Sequence, residues 1–207
     1  MNIAIPIFDG LTALDAVGPY EVLSRLPGAD VQFLAAEPGL QRTDSGMLAL
    51  QADRALADRP DPEVIVVPGG SGTRPLMQDP VMLDWLRSAH QTSTWTTSVC
   101  TGSLLLVAAG ILDGLEATSH WLALEVLARY GARPVSRRVV EQGKVITAAG
   151  VSAGIDMALV LAARIAGDDI AQAIQLGIEY DPQPPFHSGS TATASPEIVN
   201  LVRSAPR

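Results

Sequence analysis

The sequence predicts a doubly wound α/β domain: a mostly parallel central sheet, helices on both faces, and one small β-hairpin. Three observations predict it. Short runs that are apolar throughout, rather than alternating, recur along the chain, as strands buried on both faces require. Helical patterns bounded by capping residues, prolines and glycines separate those runs. No linker, internal repeat or low-complexity block interrupts the alternation over 207 residues. One domain spanning 1–207 is therefore expected, with 181–207 as a surface-wrapping tail.

"NIAIPIF" (2–8) reads as the first strand. "PYEVLSRL" (19–26) reads as a helix that opens with Pro19 in its first turn and stops at Gly28. "VQFLAA" (31–36) is the next strand, and "SGMLALQA" (45–52) is expected as a strand beside the later hairpin. "VIVVPGG" (64–70) is a buried strand ending in a glycine pair. A helix over 79–91 follows, with Asp79 as N-cap and Pro80 at its first position. "TWTTSV" (94–99) is a strand that leads into a helix over 101–110, and a further helix covers 122–131; they stop at Gly110 and Gly131. Residues 137–150 carry two β-type runs around Gln142-Gly143, a hairpin signal. Helices over 152–166 and 168–180 precede a tail rich in Pro, Ser and Thr, with a short helix capped by Ser195 and Pro196.

Composition excludes several functions. The chain is 47% hydrophobic and 17% charged, with a net charge of −8. Such acidity repels phosphate backbones, so no nucleic-acid partner is expected; the densest basic pair is Arg137-Arg138. The longest apolar stretch, over 103–112, falls short of the ~20 residues of a membrane span. No membrane partner is expected. With no basic leader and a single cysteine that cannot form an internal disulfide, a reducing, cytoplasmic location is expected. His90, His120, His187 and Cys100 lie far apart, so neither a metal nor another cofactor is expected.

Cys100 is the leading candidate for chemistry. An apolar strand ends at Val99, a helix begins at Thr101, and the small residues Ser98 and Gly102 flank the bend at two residues on either side. This S-x-C-x-G pattern is related to the G-x-S-x-G nucleophile elbow, whose sharp turn admits only small neighbours. The helix dipole is expected to favour thiolate over thiol. The alternative is a small buried hydrophobe, the usual fate of a free cysteine. "PGGSG" (68–72) brings backbone N–H groups close to a ligand or forms a plain turn. Asp15, near the end of the first strand, either converges on Cys100 as a proton donor and acceptor or starts a helix. His120 either meets the substrate or is structural, with Thr118 or Ser119 capping the helix that follows.

"LDAVGP", "VPGGSG", "TSVCTGSLLL", "ATSHW", "TAAGVSAGID" and "EYDPQPPF" occur in this order. On them the chain resembles the ThiJ/PfpI family of the class I glutamine amidotransferase-like superfamily, and within it the branch of bacterial isocyanide hydratases. The resemblance implies a flavodoxin-like sandwich and a homodimer acting on a small molecule. It implies that Cys100 is the nucleophile, Asp15 its acid/base partner and Thr101 a polar neighbour. It makes Gly70 and Thr101 sources of backbone N–H groups, and places Gly150 and Val151 near the cysteine. Phe186 and His120 are expected to help line the substrate pocket, which should be small and mostly apolar. Thr101 stands where protease and glyoxalase-like members often carry His, and Asp15 where many carry Glu; both features argue against peptidase activity. "SVCTG" and "ATSHW" also resemble effector domains of AraC-type regulators, whose DNA-binding module is not expected here. The implied reaction is hydration of an isocyanide to an N-substituted formamide through a covalent thioimidate. The alternatives are glyoxalase-like hydration of small dicarbonyls and a non-catalytic ligand or oxidation sensor.

Overall fold

A computed structural model of the chain describes residues 1–205. The expected tail therefore has its last two residues outside the described part. Seven strands form the main sheet: β1 (Asn2–Pro6), β2 (Asp30–Ala35), β5 (Arg54–Ala55), β6 (Val64–Val67), β7 (Trp95–Val99), β10 (Val139–Gln142) and β11 (Val145–Ala148). Their order is β10-β11-β7-β6-β1-β2-β5. Every neighbouring pair is parallel except β10 with β11, the predicted hairpin. Gly143 turns that hairpin at φ +60°. Ile3 and Ile5 of β1 and all of β6 are buried and apolar, whereas the adjacent β7 buries Thr96, Thr97 and Ser98.

Helices cover both faces. They are α1 (Ala13–Leu23), α2 (Thr73–Leu76), α3 (Pro80–Thr92), α4 (Gly102–Ala108), α5 (Leu124–Arg129), α6 (Ala153–Ala166), α7 (Asp168–Gly177) and α8 (Pro196–Ser204). Helix α3 has the predicted cap, the Met82 N–H donating to Asp79 Oδ1 at 2.9 Å, and Ser195 caps α8. Among the described residues no helix is long and apolar enough to cross a membrane.

Three expectations require correction. The first helix begins at Ala13 rather than near Pro19, which sits inside it. A proline in mid-helix normally carries a steric and hydrogen-bonding penalty; here its ring packs on Gly154 of α6, where a Cβ would meet Pro19 Cγ at 3.3 Å. The strand within 45–52 shrinks to β4 (Ala49–Ala52) and pairs antiparallel with β3 (Gly39–Arg42) in a separate two-stranded sheet, not with the 137–150 hairpin. β3, "GLQR", has a single large hydrophobe and so carries no strand signal in the sequence. Third, the expected helix over 122–131 opens as a 3₁₀ turn, Trp121–Ala123, with His120 rather than Thr118 or Ser119 as its cap. A short parallel pair, β8 (Glu116–Ala117) with β9 (Arg133–Pro134), encloses that segment.

The crossovers deliver four connections to one edge of the sheet. Residues after β1, β6, β7 and β11 all leave from carboxyl ends, where open α/β sheets bind ligands. The β7–α4 connection is tight: a Cβ on Gly102 would stand 2.1 Å from the Val67 carbonyl oxygen. Backbone cannot yield to that overlap as a side chain would. Gly102→Ala is expected to destabilise the protein by roughly 2 kcal/mol or more, read as a lower urea midpoint at unchanged m-value. An unshifted midpoint would mean that α4 has room to move off β6.

Candidate active site

Cys100 occupies the turn between β7 and α4 at φ +56°, a left-handed conformation that non-glycine residues rarely hold. Four hydrogen bonds fasten it. Its N–H lies 2.8 Å from the Ala149 oxygen and 3.1 Å from that of Ala148. Its carbonyl accepts from Ser119 Oγ at 2.9 Å and Ser103 Oγ at 3.1 Å. Ser103 follows in α4, but Ser119 comes from "ATSHW", a contact that sequence reading missed. The residue is 5% exposed.

Asp15 stands beside it. The first turn of α1 carries this residue to the end of β6, where Oδ2 accepts from the Gly69 N–H at 2.9 Å. Oδ1 is buried with no hydrogen-bond partner among the described residues, and the Cys100 side chain interacts with the same carboxyl. Gly69 must be glycine here. An added Cβ would fall 2.6 Å from the Thr101 nitrogen and 2.8 Å from Asp15 Oδ2.

Burial decides the electrostatics. It raises the Asp15 pKa from its ordinary 3.8 to about 7, against the lowering effects of the Gly69 N–H and Cys100, with the Asp44 charge adding a smaller upward push. Burial, then the Asp15 charge, pushes the Cys100 thiol up to about 12, although the N–H groups of Val151 and Thr101 and the Thr101 hydroxyl favour its anion. The expected stable thiolate is thus corrected. The field at the start of α4 is outweighed by loss of solvent and by a neighbouring acid, so the resting pair keeps a proton.

The other anticipated residues divide. Thr101 directs its N–H towards the sulfur. Its hydroxyl accepts from the Gly70 N–H at 2.8 Å and donates towards the Gly70 oxygen at 3.1 Å. The Gly70 N–H is therefore engaged by Thr101 rather than turned to the sulfur, and Val151 takes the place expected of it. Gly70 itself is required by close approach, since a Cβ would meet Gly10 O at 2.2 Å. Gly150 packs on His120, whose Nδ1 accepts from the Leu122 N–H at 3.4 Å. Phe186 is 79% exposed and does not line the cavity beside the site, because residues 189–191 of the tail fill that wall.

That cavity has a volume of about 410 Å³; its lining includes Val151, whose N–H faces the sulfur, but neither Cys100 nor Asp15. It is not the small apolar chamber expected. His120, Arg137, Arg138, Ser136 and Ser152 line it with Trp121 and Leu124. The two arginines were legible in the sequence only as a basic pair; the hairpin and α6 bring them here. Tail helix α8 approaches through Arg203, whose guanidinium lies 5.6 Å from the Trp121 ring centre.

The chain is 44% identical to an isonitrile hydratase of Pseudomonas putida over 98% of its own length and 89% of that protein. It is 32% identical to the transcriptional regulator CdhR of Pseudomonas aeruginosa, over 81% of this chain and 50% of the regulator. A crystal structure of a ThiJ/PfpI family protein from Pseudomonas syringae superposes with a TM-score of 0.94 at 37% identity, covering 97% of this chain and 84% of that one. Drosophila melanogaster DJ-1beta shares the fold, with a TM-score of 0.79 at 22% identity over 87% of this chain and 98% of its own. The family model for DJ-1/PfpI matches residues 1–164, a span that holds Asp15, Gly69, Cys100 and Val151 together, and the chain belongs to the DJ-1/PfpI family.

Proposed function

We propose that the protein is an isocyanide hydratase, converting R–N≡C and water to an N-substituted formamide. The observation that carries the reading is the buried Cys100–Asp15 pair, within a chain 44% identical along 98% of its length to an isonitrile hydratase. The enzyme acts as a one-domain protein in a reducing cytoplasm, where a lone cysteine stays a free thiol. It works as a homodimer, for which the exposed Leu40, Met47 and Leu48 of the β3–β4 hairpin offer apolar surface.

Asp15 and Cys100 act as one acid–base unit. As the sulfur attacks the terminal isocyanide carbon, Asp15 takes the thiol proton and returns it to that carbon, forming the thioimidate R–N=CH–S–Cys100. The N–H groups of Thr101 and Val151 stabilise the sulfur while it is anionic. Asp15 then draws a proton from water as it adds to the thioimidate carbon and passes that proton to the nitrogen. Collapse of the tetrahedral adduct expels sulfur, the hydroxyl proton passes through Asp15 to the sulfur, and R–NH–CHO is released. Atoms balance, and the enzyme ends as it began.

The regulator likeness favours a second reading, a ligand sensor built on the same site. Turnover separates the two, because a sensor modified at sulfur stops after one event. Wild-type protein with cyclohexyl isocyanide is expected to release many equivalents of formamide by mass spectrometry, and Cys100→Ala none above background. Equal product from both would reject the cysteine route.

The active pair holds one proton, whichever atom carries it. With an uncharged isocyanide, kcat/KM should rise through an apparent pKa near 7, where Asp15 ionises, and stay level until the thiol titrates near 12. A profile flat from pH 5 to 9 would remove Asp15 from the proton path.

Asp15→Asn is expected to lower kcat by a factor on the order of 10² to 10⁴ while raising stability at alkaline pH. The folded-state pKa of Asp15 lies above its ordinary value, so its contribution to stability is complete below 3.8 and is lost as pH rises through about 7. Above that, a buried charge burdens the fold, and the amide removes it. A thermal scan near pH 8 should show a higher Tm for Asp15→Asn; a lower one would mean that the carboxylate is better solvated than its burial implies.

A further inference from the structure

We propose that the physiological isocyanide carries a carboxylate on its substituent, and that Arg137 and Arg138 receive it in the cavity beside Cys100. The proposal rests on the hydratase reading and specifies its substrate class.

Charge sorting carries it. The chain has 22 Asp and Glu against 14 Lys and Arg, yet no acidic residue lines this cavity, whose ionisable lining is Arg137, Arg138 and His120. A second cavity of about 370 Å³, beyond β1 and β2, has the opposite character: Asp9, Glu37 and Asp79 line it and no basic residue does. In an acidic protein, walls without carboxylates that carry two guanidinium groups offer an anion donors with no like charge beside them.

The arginines are held for this task. Arg137 pairs with Glu116 and Arg138 with Asp156, and neither carboxylate belongs to the cavity lining. Glu116 engages only Nη2 of Arg137. The second Nη2 hydrogen, together with the N–H beside it on Nε or Nη1, keeps one planar edge that matches a carboxylate with two parallel N–H···O bonds. Asp156, bonded also to the Tyr180 hydroxyl, fixes Arg138 against α6. Ser136, Ser152, Ser190 and Thr191 add hydroxyls to the same walls. An unsubstituted alkyl group would leave these donors unmatched. Ser119 and Ala149 of the cavity wall bond the Cys100 backbone and the Val151 N–H faces its sulfur, so the isocyano carbon is assigned to that side and the carboxylate to the arginines.

The test compares isocyanoacetate with its methyl ester and with cyclohexyl isocyanide, the formamides being quantified by mass spectrometry. kcat/KM for the carboxylate is expected to exceed that for the ester by about tenfold or more, the discrimination that a charge-assisted pair supports. The ratio should fall towards one in Arg137→Met, recover in part in Arg137→Lys, and shrink as salt is raised. A wild-type ratio at or below one overturns the proposal, as does a ratio that neither substitution nor salt moves. If circular dichroism shows Arg137→Met unfolded, the wild-type ratio and its salt dependence decide. No formamide from any of the three compounds is a failure of the hydratase reading itself. Turnover of the neutral pair without preference for the carboxylate is a failure of this inference alone.

Discussion

Two acids buried in contact cannot both be charged. The Asp15 carboxyl and the Cys100 sulfur share a water-poor niche that raises both pKa values; the Asp15 charge pushes the thiol further up, while the hydrogen bond from Cys100 partly offsets the rise at Asp15. Between the two ionisations the pair keeps a single proton and a single negative charge. A thiol that is hard to ionise alone becomes a nucleophile only if its proton has somewhere adjacent to go, and the carboxyl is that place. The niche therefore favours reactions that consume a proton at the atom being attacked.

Maintaining such a pair constrains the backbone around it. Cys100 sits at a positive φ, a conformation that costs on the order of 1–3 kcal/mol unless its surroundings enforce it. The amide bonds to Ala148 and Ala149 and the two serine hydroxyls on its carbonyl supply the enforcement. Gly69 and Gly102 are empty at Cβ because the space belongs to Thr101, Asp15 and the β6 carbonyls. Any side chain at either position would separate the strand ends that hold sulfur and carboxyl together. The same close approach recurs between α1 and α6, where Gly18 and Gly154 let the helices pack over the sheet edge. Stability is thus spent on holding the two acids near one another.

Specificity is separated from this chemistry in space. The β7–α4 turn and the first turn of α1 provide the reacting pair, whereas the segments flanking the hairpin, the 3₁₀ turn and the tail provide the cavity walls. The DJ-1/PfpI match ends at residue 164, before the tail begins. A shared α/β scaffold with variable walls can serve different ligands at one cysteine, in keeping with the rule that function resides in sites grafted on folds.

The local sequence determined the sheet and the elbow. Fully apolar four- to seven-residue runs have no stable place except between helical layers, and a cysteine flanked by Ser98 and Gly102 at a strand end fits only a tight turn. Asp79, Ser195 and Gly143 likewise mark their own caps and turn through short-range bonding and backbone freedom. The three-dimensional packing decided what depends on distant neighbours. Pro19 reads as a helix start in isolation, yet Gly154 makes room for it in mid-helix. The α4 dipole reads as an activator of Cys100, yet burial beside Asp15 reverses the balance, because desolvation depends on everything around a group and not on its own segment. Arg137 and Arg138 read as a scattered basic pair, and only the folding of the hairpin against α6 and the tail places them in the cavity beside the sulfur.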